Sequence, residues 1–366
     1  MALHQLQIAR VRNLRDVRLE GLQKVNVFYG LNGSGKTSIL ESIHLLGMAR
    51  SFRGANIKSL ISHEEAACTV FGVASLPTSG GHLPLGVERT RSGEANIKIG
   101  GKPVRTIADL AEQLPLQVIT ADSFGLLTGS PGGRRQYLDW GVFHVEHRFF
   151  VQWQRFQRGI KQRNMALRHG KLSDKELAAW THDLAAAGTA INDYRKAYFS
   201  ALVPRFLDTM ARLAPSLENL ELRFRQGWDA RHSYAEALEQ SLSTDIEQGY
   251  THVGPQRADI RVTCGGHLAA DTLSRGQQKL VVCGLKLAQG QMMSEVEGRS
   301  CSYLIDDLPS ELDDNHSRLV CNLLASMDAQ VFITCVEQDE IRSVWPEDEN
   351  FAVFHVEHGN VSAVNA

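Results

Sequence analysis

The sequence predicts an α/β fold in which a mixed β-sheet core with an antiparallel β subdomain carries an inserted helical lobe. Three observations lead to this prediction. Residues 67–99 alternate between apolar and polar side chains and are interrupted by Gly-, Ser- and Pro-rich turns, as in antiparallel strands. From about residue 106 apolar side chains recur every three or four positions, as in helices. From about residue 260 strand and helix patterns alternate again, so we expect both ends of the chain to build one core.

These changes in pattern set the expected domain boundaries. The expected segments are residues 1–105 and 256–366 for the core and residues 106–255 for the helical lobe. Inside the lobe, apolar and aromatic residues from Phe149 to Leu167 predict a long helix. A polar turn at residues 170–174 is followed by a second helix, which Pro204 is expected to kink or end. We interpret the aromatic stripe as the core of a helical hairpin rather than as a platform for stacking bases.

The composition favours a soluble protein of the cytoplasm. Hydrophobic residues make up 43% of the 366 residues, and no run approaches the roughly 20 apolar residues of a membrane span. The N-terminus has no basic segment followed by an apolar core, so we expect neither a secretory signal nor a membrane partner. The six cysteines are scattered without a C-x-x-C pair, which predicts buried thiols rather than disulfides or a zinc site.

The charge of the chain is distributed unevenly. The formal net charge of -2 argues against a diffusely basic DNA-binding protein. Residues 134–171, however, hold nine Lys or Arg and two acidic residues, a net +7, whereas residues 295–349 hold fourteen acidic residues and three Lys or Arg, a net -11. The basic segment suggests an anionic partner, and a merely solvated helix face is the alternative.

A phosphate-binding loop follows the strand pattern of residues 24–29. Residues 30–37 fit the motif G-x-x-x-x-G-K-[ST] and precede a helical pattern at residues 39–48, which is the context that the motif requires. The predicted nucleotide-binding residues are Gly30, Leu31, Asn32, Gly33, Ser34, Gly35, Lys36 and Thr37. Backbone N–H groups and the helix N-terminus would hold phosphate oxygens, Lys36 would reach the β- and γ-phosphates, and the Thr37 hydroxyl would bind Mg²⁺. The expected ligands are therefore ATP and Mg²⁺.

A second motif predicts the catalytic carboxylate. Residues 303–307 read as an apolar strand that ends in two aspartates. A buried strand would place Asp306 beside the triphosphate as a ligand of Mg²⁺, and Asp307 would orient or deprotonate the attacking water. An acidic strand end without a role is the alternative.

A third motif predicts a second anion site. The pentapeptide at residues 273–277 precedes a helical pattern and resembles the L-S-G-G-Q signature of ABC ATPases, with Arg275 in place of the first glycine. The residues that would meet a γ-phosphate held by an opposite subunit are Ser274, Gly276 and Gln277. An ordinary serine cap of a helix is the alternative. Residues 310–313 stand where ABC proteins keep the D-loop, and Thr334 stands where transporters keep a switch histidine.

The order of the motifs resembles the SMC/Rad50-type branch of ABC ATPases and, more closely, the bacterial RecF family, over essentially the full length. The resemblance is carried by residues 11–14, 47–53, 134–146, 161–164, 254–259 and 273–279. The chain departs from the family pattern at Ala121, where proline is usual, and at Gln256, where histidine is usual. Asp307 is one methylene shorter than the glutamate usual in ABC ATPases, which suggests slow hydrolysis.

The resemblance implies a DNA-binding repair ATPase that dimerises on ATP and helps to load recombinase at single-strand gaps, with RecO and RecR as partners. It also implies that Arg12 approaches the phosphates. The homodimer would be isologous and would bury two ATP molecules between the phosphate loop of one chain and the signature of the other. The basic residues expected to contact DNA phosphates without reading sequence are Arg155, Arg158, Lys161 and Arg168.

Two other classes of protein share the phosphate-loop motif. The ATPase subunit of an ABC transporter is the main alternative, but Ser274 lies 238 positions after Lys36, far more than such a subunit needs. A P-loop kinase or GTPase is disfavoured because the chain has no N-K-x-D motif for guanine and because a kinase has no use for the signature.

Overall fold

The computed structural model describes residues 2–54, 56–76, 80–169, 174–346 and 351–364. The chain divides into two compact units: Met1–Phe124 with Lys279–Ala366, here called unit 1, and Gly125–Gln278, here called unit 2. The strands are β1 (Leu3–Val11), β2 (Leu14–Leu19), β3 (Val25–Tyr29), β4 (Ala67–Ser75), β5 (His82–Thr90), β6 (Ala95–Ile99), β7 (Lys102–Val104), β8 (Leu116–Ile119), β9 (Leu220–Arg225), β10 (Asp259–Cys264), β11 (His267–Leu268), β12 (Ser302–Ile305), β13 (Val331–Cys335), β14 (Phe351–Glu357) and β15 (Asn360–Val364). The helices are α1 (Lys36–Met48), α2 (Ile107–Gln113), α3 (Gly125–Thr128), α4 (Pro131–Val145), α5 (Phe149–His169), α6 (Asp174–Leu213), α7 (Tyr234–Gln240), α8 (Leu242–Gln248), α9 (Ala269–Thr272), α10 (Arg275–Glu297), α11 (Leu308–Glu311), α12 (Asp314–Ser326) and α13 (Gln338–Arg342).

Unit 1 contains two six-stranded sheets. The first is antiparallel, in the order β2-β1-β4-β5-β6-β7. The second has the order β15-β14-β3-β13-β12-β8, with β14, β3, β13, β12 and β8 parallel and β15 antiparallel to β14. Because β3 and β13 are central, buried strands, the loops at their carboxyl ends meet at one edge, where ligands of open α/β sheets bind. The predicted mixed sheet and antiparallel subdomain are confirmed.

The core of unit 1 lies around α1. This helix is buried on nearly every side, and Ile39, Leu40 and Ile43 are fully buried. They join one hydrophobic cluster that also contains Val70 from the antiparallel sheet and Phe332 from the parallel strands. A helix that is buried on all sides is held rigidly, so its first turn, which carries Lys36 and Thr37, has a fixed position.

Unit 2 combines helices with the small sheet β11-β10-β9. Helices α5 and α6 form the expected hairpin, and Phe149, Phe156 and Leu167 of the stripe are buried in it, so the interpretation of the stripe as a core is confirmed. The turn expected at residues 170–174 falls largely outside the described residues. The expected lobe, residues 106–255, differs from unit 2 because β8 pairs with β12 in unit 1, whereas β10 pairs with β9 in unit 2.

Pro204 does not end the second helix. Helix α6 runs through it to Leu213, so the expectation of an end there is wrong. A proline inside a helix removes one backbone hydrogen bond and costs about 3 kcal/mol. Apolar side chains before and after the proline are buried, namely those of Leu202, Phe206 and Met210. Their burial offsets the cost of the proline.

Two expectations from composition concern smaller features. Five of the cysteines are buried free thiols, and Cys264 is partly exposed. In the parts of the chain that the structure describes, no helix is both long and apolar enough to cross a membrane.

Candidate nucleotide-binding and catalytic site

The phosphate loop joins the end of β3 to the start of α1. The side chain of Lys36 is folded back into the loop, where its Nζ donates to the carbonyl oxygens of Gly30, at 2.5 Å, and Leu31, at 3.1 Å. Lys36 is only 7% exposed although it carries a charge. A buried ammonium needs partners, and the loop carbonyls supply them until a phosphate can replace them.

Two neighbours fix the shape of the loop. The carbonyl oxygen of Ser34 accepts hydrogen bonds from the backbone N–H of Gly359, at 2.8 Å, and from Nδ2 of Asn13, at 2.9 Å. In addition, a Cβ at Gly30 would lie 2.2 Å from the carbonyl oxygen of Val356 in β14, so no residue larger than glycine fits there. The turns β1–β2 and β14–β15 therefore hold the loop between them.

A cavity opens beside the first half of the loop. Its volume is about 280 Å³, and it is lined by Leu31, Asn32, Gly33, Ser34, His355, Val356, Glu357 and His358. The side chain of Leu31 is 77% exposed, so this part of the loop presents an apolar surface to the solvent.

The two nucleotide motifs meet at Thr37 and Asp306. The hydroxyl of Thr37 lies 3.0 and 3.1 Å from the two carboxylate oxygens of Asp306, although the residues are 269 positions apart. The hydroxyl of Thr334, at the end of β13, donates to Oδ1 of Asp306 at 2.8 Å. A hydroxyl and a carboxylate in such proximity are the protein ligands that P-loop ATPases offer to Mg²⁺.

Asp307 has a strained backbone and an unpaired carboxylate oxygen. Its φ of 54° lies in the left-handed region, which costs a residue with a Cβ about 1 kcal/mol or more. The hydroxyl of Thr334 accepts the Asp307 N–H at 2.9 Å and so holds this conformation. Among the described residues no group bonds Oδ1 of Asp307, although this oxygen is buried. Such an acceptor is available for a water molecule.

Arg12 contacts a carboxylate of α1 instead of the loop. Its Nε and Nη2 donate to Glu41, both at 2.8 Å, and its Nη1 donates to the carbonyl oxygen of Ser59 at 2.5 Å. Glu41 is fully buried and accepts a further hydrogen bond from Ser51. The hydrogen bond with Glu41 raises the pKa of Arg12. In this structure the guanidinium therefore neutralises a buried carboxylate, and the structure does not bring it to the phosphate loop.

The signature residues lie in unit 2 and cap a helix. The hydroxyl of Ser274 accepts the N–H of Gln277 at 3.3 Å, and Oε1 of Gln277 accepts the N–H of Ser274 at 3.0 Å. This reciprocal pair starts α10 at Arg275. A Cβ at Gly276 would meet no atom of the chain within 4 Å, so the fold of the chain itself does not require glycine there.

The basic residues predicted to contact DNA lie exposed on one helix of unit 2. Helix α5 contains no acidic residue and carries Arg155, Arg158, Lys161 and Arg168 on its exposed side. Among the described residues, the carboxylate contact of these cations is long, since Nη2 of Arg155 lies 3.8 Å from Oδ1 of Asp183. The exposed cations of this helix form a surface that we call the α5 face.

Sequence reasoning missed three residues that shape the site: Asn13, Glu41 and Gly359. Asn13 also accepts a hydrogen bond from Ser38, at 3.0 Å, so it contacts both the loop and α1. His358 and Gly359 both have positive φ and form a tight hairpin turn between β14 and β15. The sequence signal for this turn was His-Gly between two segments of alternating apolar and polar residues. No local pattern marks Asn13 or Glu41, because their partners are distant in sequence.

The chain was then compared with known proteins. A model of the RecF/RecN/SMC N-terminal domain matches residues 2–362. The protein named DNA replication and repair protein RecF of Pseudomonas syringae pv. tomato is 52% identical over 362 residues, covering 99% of this chain and 98% of the relative. The protein of the same name from Pseudomonas aeruginosa strain PAO1 is 51% identical and also covers 99% of this chain and 98% of its own length.

Solved structures give the same result. The structure of the recombination mediator protein RecF-ATP in the RecFOR pathway has a TM-score of 0.88 and 25% identity, covering 99% of this chain and 97% of that one. An Smc head bound to the C-winged helix domain of ScpA matches with a TM-score of 0.60 and 15% identity, covering 100% of this chain and 97% of that one, which shows a shared fold. The transporter alternative finds no support in these matches. The chain is an ABC-type ATPase head with inserted helices, and it belongs to the RecF family.

Proposed function

We propose that the chain is an ATP-dependent DNA-binding protein of DNA replication and repair, whose homodimer closes on DNA when ATP binds and is reset by slow hydrolysis. The observation that carries this proposal is the 3.0 Å contact between Thr37 and Asp306, which joins the two nucleotide motifs in one place. Membership in the RecF family, whose relatives are named DNA replication and repair proteins, supplies the biological setting.

The loop binds the triphosphate of ATP through its backbone N–H groups and Lys36. On binding, the ammonium exchanges the carbonyls of Gly30 and Leu31 for phosphate oxygens, which are charged and therefore stronger acceptors. Thr37 and Asp306 are the residues that would hold Mg²⁺, which neutralises developing charge on the phosphates when bound. Asn13 and Gly359 keep the loop in shape during this exchange, because their hydrogen bonds go to Ser34 and leave Lys36 free to move.

Asp307 orients or deprotonates the attacking water. Its buried, unpaired Oδ1 supports this role, because a water that donates to it would satisfy the oxygen. The aspartate carboxylate reaches less far than a glutamate on the same backbone would, and we infer slow hydrolysis from this shorter reach. Stimulation by DNA follows if clamping brings two chains into their closed arrangement.

The signature acts on the ATP of the twin subunit. Ser274 caps a helix whose N-terminus carries positive potential, and Gly276 leaves open space in which a phosphate can approach. The isologous dimer would pair each phosphate loop with the signature of the other chain. The exposed Leu31 of each loop would then lose contact with solvent, which favours the closed dimer.

DNA binds through its phosphates on the α5 face. Within the part of the chain that the structure describes, these four cations have one acidic contact, at 3.8 Å, which supports binding to phosphates without sequence preference. RecO and RecR are the proposed protein partners, on the strength of the family and of the RecFOR pathway named for the solved relative. A cytoplasmic location fits the same family.

Size-exclusion chromatography with and without ATP, in the presence and absence of duplex DNA, tests the proposal. We expect a dimer only with ATP and a larger complex when DNA is added. Ser274→Ala should leave ATP binding intact and weaken dimerisation; Thr272→Ala, which changes a neighbouring exposed hydroxyl, is the control. If Ser274→Ala dimerised like the wild type, the role of the signature in the partner's site would be wrong. If ATP had no effect on DNA affinity at low salt, the clamp itself would be wrong.

A further inference from the structure

Two segments that mark the family, around residues 134–139 and 254–259, form a cluster of arginines in unit 2 that the proposed function does not use. The charged residues of this cluster are Arg134, Arg135, Arg195, Arg257, Asp139 and Asp259. Four guanidinium groups thus surround two carboxylates. The chemistry of the cluster depends on which guanidinium groups these carboxylates neutralise.

Two of the arginines form closed ion pairs. Nε and Nη2 of Arg134 donate to the two oxygens of Asp259, at 2.7 and 3.3 Å. Nε and Nη2 of Arg195 donate in the same way to Asp139, at 2.7 and 2.9 Å. Nη1 of Arg134 donates to the carbonyl oxygen of Gly129, and Nη1 of Arg195 donates to that of Pro255. Both arginines are nearly buried, and we infer that they hold the cluster together.

The other two arginines have no carboxylate of their own within the described part of the chain. Arg135 is half-buried, and only its Nη1 is engaged, in a 2.9 Å hydrogen bond to the carbonyl oxygen of Ala258. Burial, and next the charge of Arg195, lower the pKa of Arg135, whereas the nearby charges of Asp259 and Asp139 raise it and that of Arg257 lowers it further. Arg257 is exposed, with its guanidinium 5.5 Å from the ring centre of Tyr250. The cluster therefore carries two excess positive charges, which repel each other until an anion is bound.

The cluster adjoins the α5 face. Nε of Arg168, at the end of that face, donates to the carbonyl oxygen of Gly249 at 3.3 Å. Gly249 directly precedes Tyr250, on which Arg257 lies. Arg135 in turn donates to the carbonyl oxygen of Ala258, the residue after Arg257, so these contacts connect Arg168, Arg257 and Arg135 within unit 2. A polyanion with several charges fits such a group of cations better than a single small anion does.

We propose that Arg135 and Arg257 form a phosphate-binding site that extends the α5 face and takes the backbone phosphates of DNA. This inference rests on the proposed function. Arg135 is the fixed member, since its neighbours hold it in place, and its free N–H groups can donate to a phosphate oxygen as a fork. Arg257 is the mobile member, and stacking on Tyr250 keeps its guanidinium near the site without neutralising it. Arg134 and Arg195 are positioning residues.

The experiment measures the salt dependence of DNA affinity for the full chain with ATP and Mg²⁺, using a fluorescent duplex of arbitrary sequence. Each lost phosphate contact lowers the slope of log K against log salt by about 1. We expect Arg257→Gln to lower this slope by about 1 and the double variant Arg135→Gln/Arg257→Gln to lower it by about 2. The double variant Arg135→Lys/Arg257→Lys keeps the charges and should keep the slope.

The control is Arg231→Gln. Arg231 lies in the same unit and is exposed like Arg257, but it is already paired with Asp229, so its loss should not change the slope. Arg257→Gln changes an exposed side chain and keeps the test valid if the double variant does not fold.

The outcomes separate this inference from the proposed function. If ATP had no effect on the wild-type chain and the chain did not bind DNA, both the proposed function and this inference would be wrong. A wild type that binds as proposed, with slopes unchanged in Arg257→Gln and the double variant, would overturn the phosphate site alone. A double variant with weaker ATP binding and an unchanged DNA slope would also overturn it, because the cluster would then serve the nucleotide.

Discussion

The phosphate loop of unit 1 and the basic surface of unit 2 are both proposed to bind phosphate, but they are built in opposite ways. In the loop, one buried lysine is surrounded by backbone of residues adjacent in sequence, and two turns fix that backbone. On the α5 face, long cationic side chains stand in solvent with few partners. A small ligand that must be held in one orientation requires a fixed cradle, whereas a long polyanion requires only several charges at roughly suitable spacing.

The difference predicts how each region responds to substitution. A change in the cradle removes an interaction that nothing else supplies, so its effect should be close to complete. A change on the surface removes one of several similar contacts, so its effect should be graded and should depend on salt.

Loss of the loop lysine should have the largest effect. Lys36→Ala removes the only side-chain cation that the described loop offers to the phosphates, and we expect ATP-dependent dimerisation to disappear and hydrolysis to fall at least about 10²-fold. Lys102→Ala, on the exposed strand β7 of the same unit, is the control. Isothermal titration with ATP and phosphate release measure both effects. Normal ATP affinity in Lys36→Ala would show that the phosphate loop binds ATP without its lysine.

Loss of the carboxylate that we propose to be catalytic should separate hydrolysis from binding. Asp307→Asn keeps the side-chain shape and tolerates the left-handed backbone, since asparagine is also common there. We expect phosphate release to fall about 10²-fold or more, while ATP still produces the dimer. Steady-state phosphate release and chromatography with ATP measure these two properties. A variant that stayed monomeric with ATP would contradict the assigned role.

Removal of the Thr334 hydroxyl should have a smaller effect on the same step. Thr334→Val leaves the N–H of Asp307 without its acceptor and removes one of the hydroxyl donors of Asp306, a change of about 1–2 kcal/mol. If this change acts on the transition state, kcat should fall about ten- to thirtyfold, with a smaller change in ATP affinity. Thr334→Ser retains the hydroxyl and should restore kcat. A lower melting temperature with unchanged kcat would indicate a structural role only.

Neutralising the α5 face should give the smallest and most graded effect. The triple change of Arg155, Arg158 and Lys161 to alanine should weaken DNA binding. It should also lower the slope of log K against log salt by about 3, one for each lost phosphate contact. The matched control changes Gln154, Gln157 and Gln162 on the same side of the helix to alanine and leaves the charge unaltered. Fluorescence anisotropy over a salt series measures the slope. An unchanged slope in the charge variant would exclude this surface as the DNA site.

The parts that the sequence predicted are those encoded locally. The loop at residues 30–37 and the aspartates at 306 and 307 have fixed spacing within one strand or turn, so their chemistry could be inferred before any contact was known. The helix of the aromatic stripe followed from its 3.6-residue period.

The parts that were not predicted depend on contacts between distant segments. Glu41 has no signal in the sequence, yet it decides where the guanidinium of Arg12 lies in this structure. Helix α6 continues through Pro204 because of tertiary burial, which local propensity does not describe. The limits of unit 2 depend on which strand pairs with β8 and β10, and pairing partners are not encoded in a short window.

The bracing of the phosphate loop by the β14–β15 turn has a consequence for how the protein matures. The loop at residues 30–37 leaves the ribosome well before Gly359, which donates to its Ser34 carbonyl. Until β13 and β14 have been synthesised, the nascent chain has the whole motif without the brace, and β3 lacks both of its neighbours. We therefore expect the loop to reach its final shape only after these later segments have docked on β3.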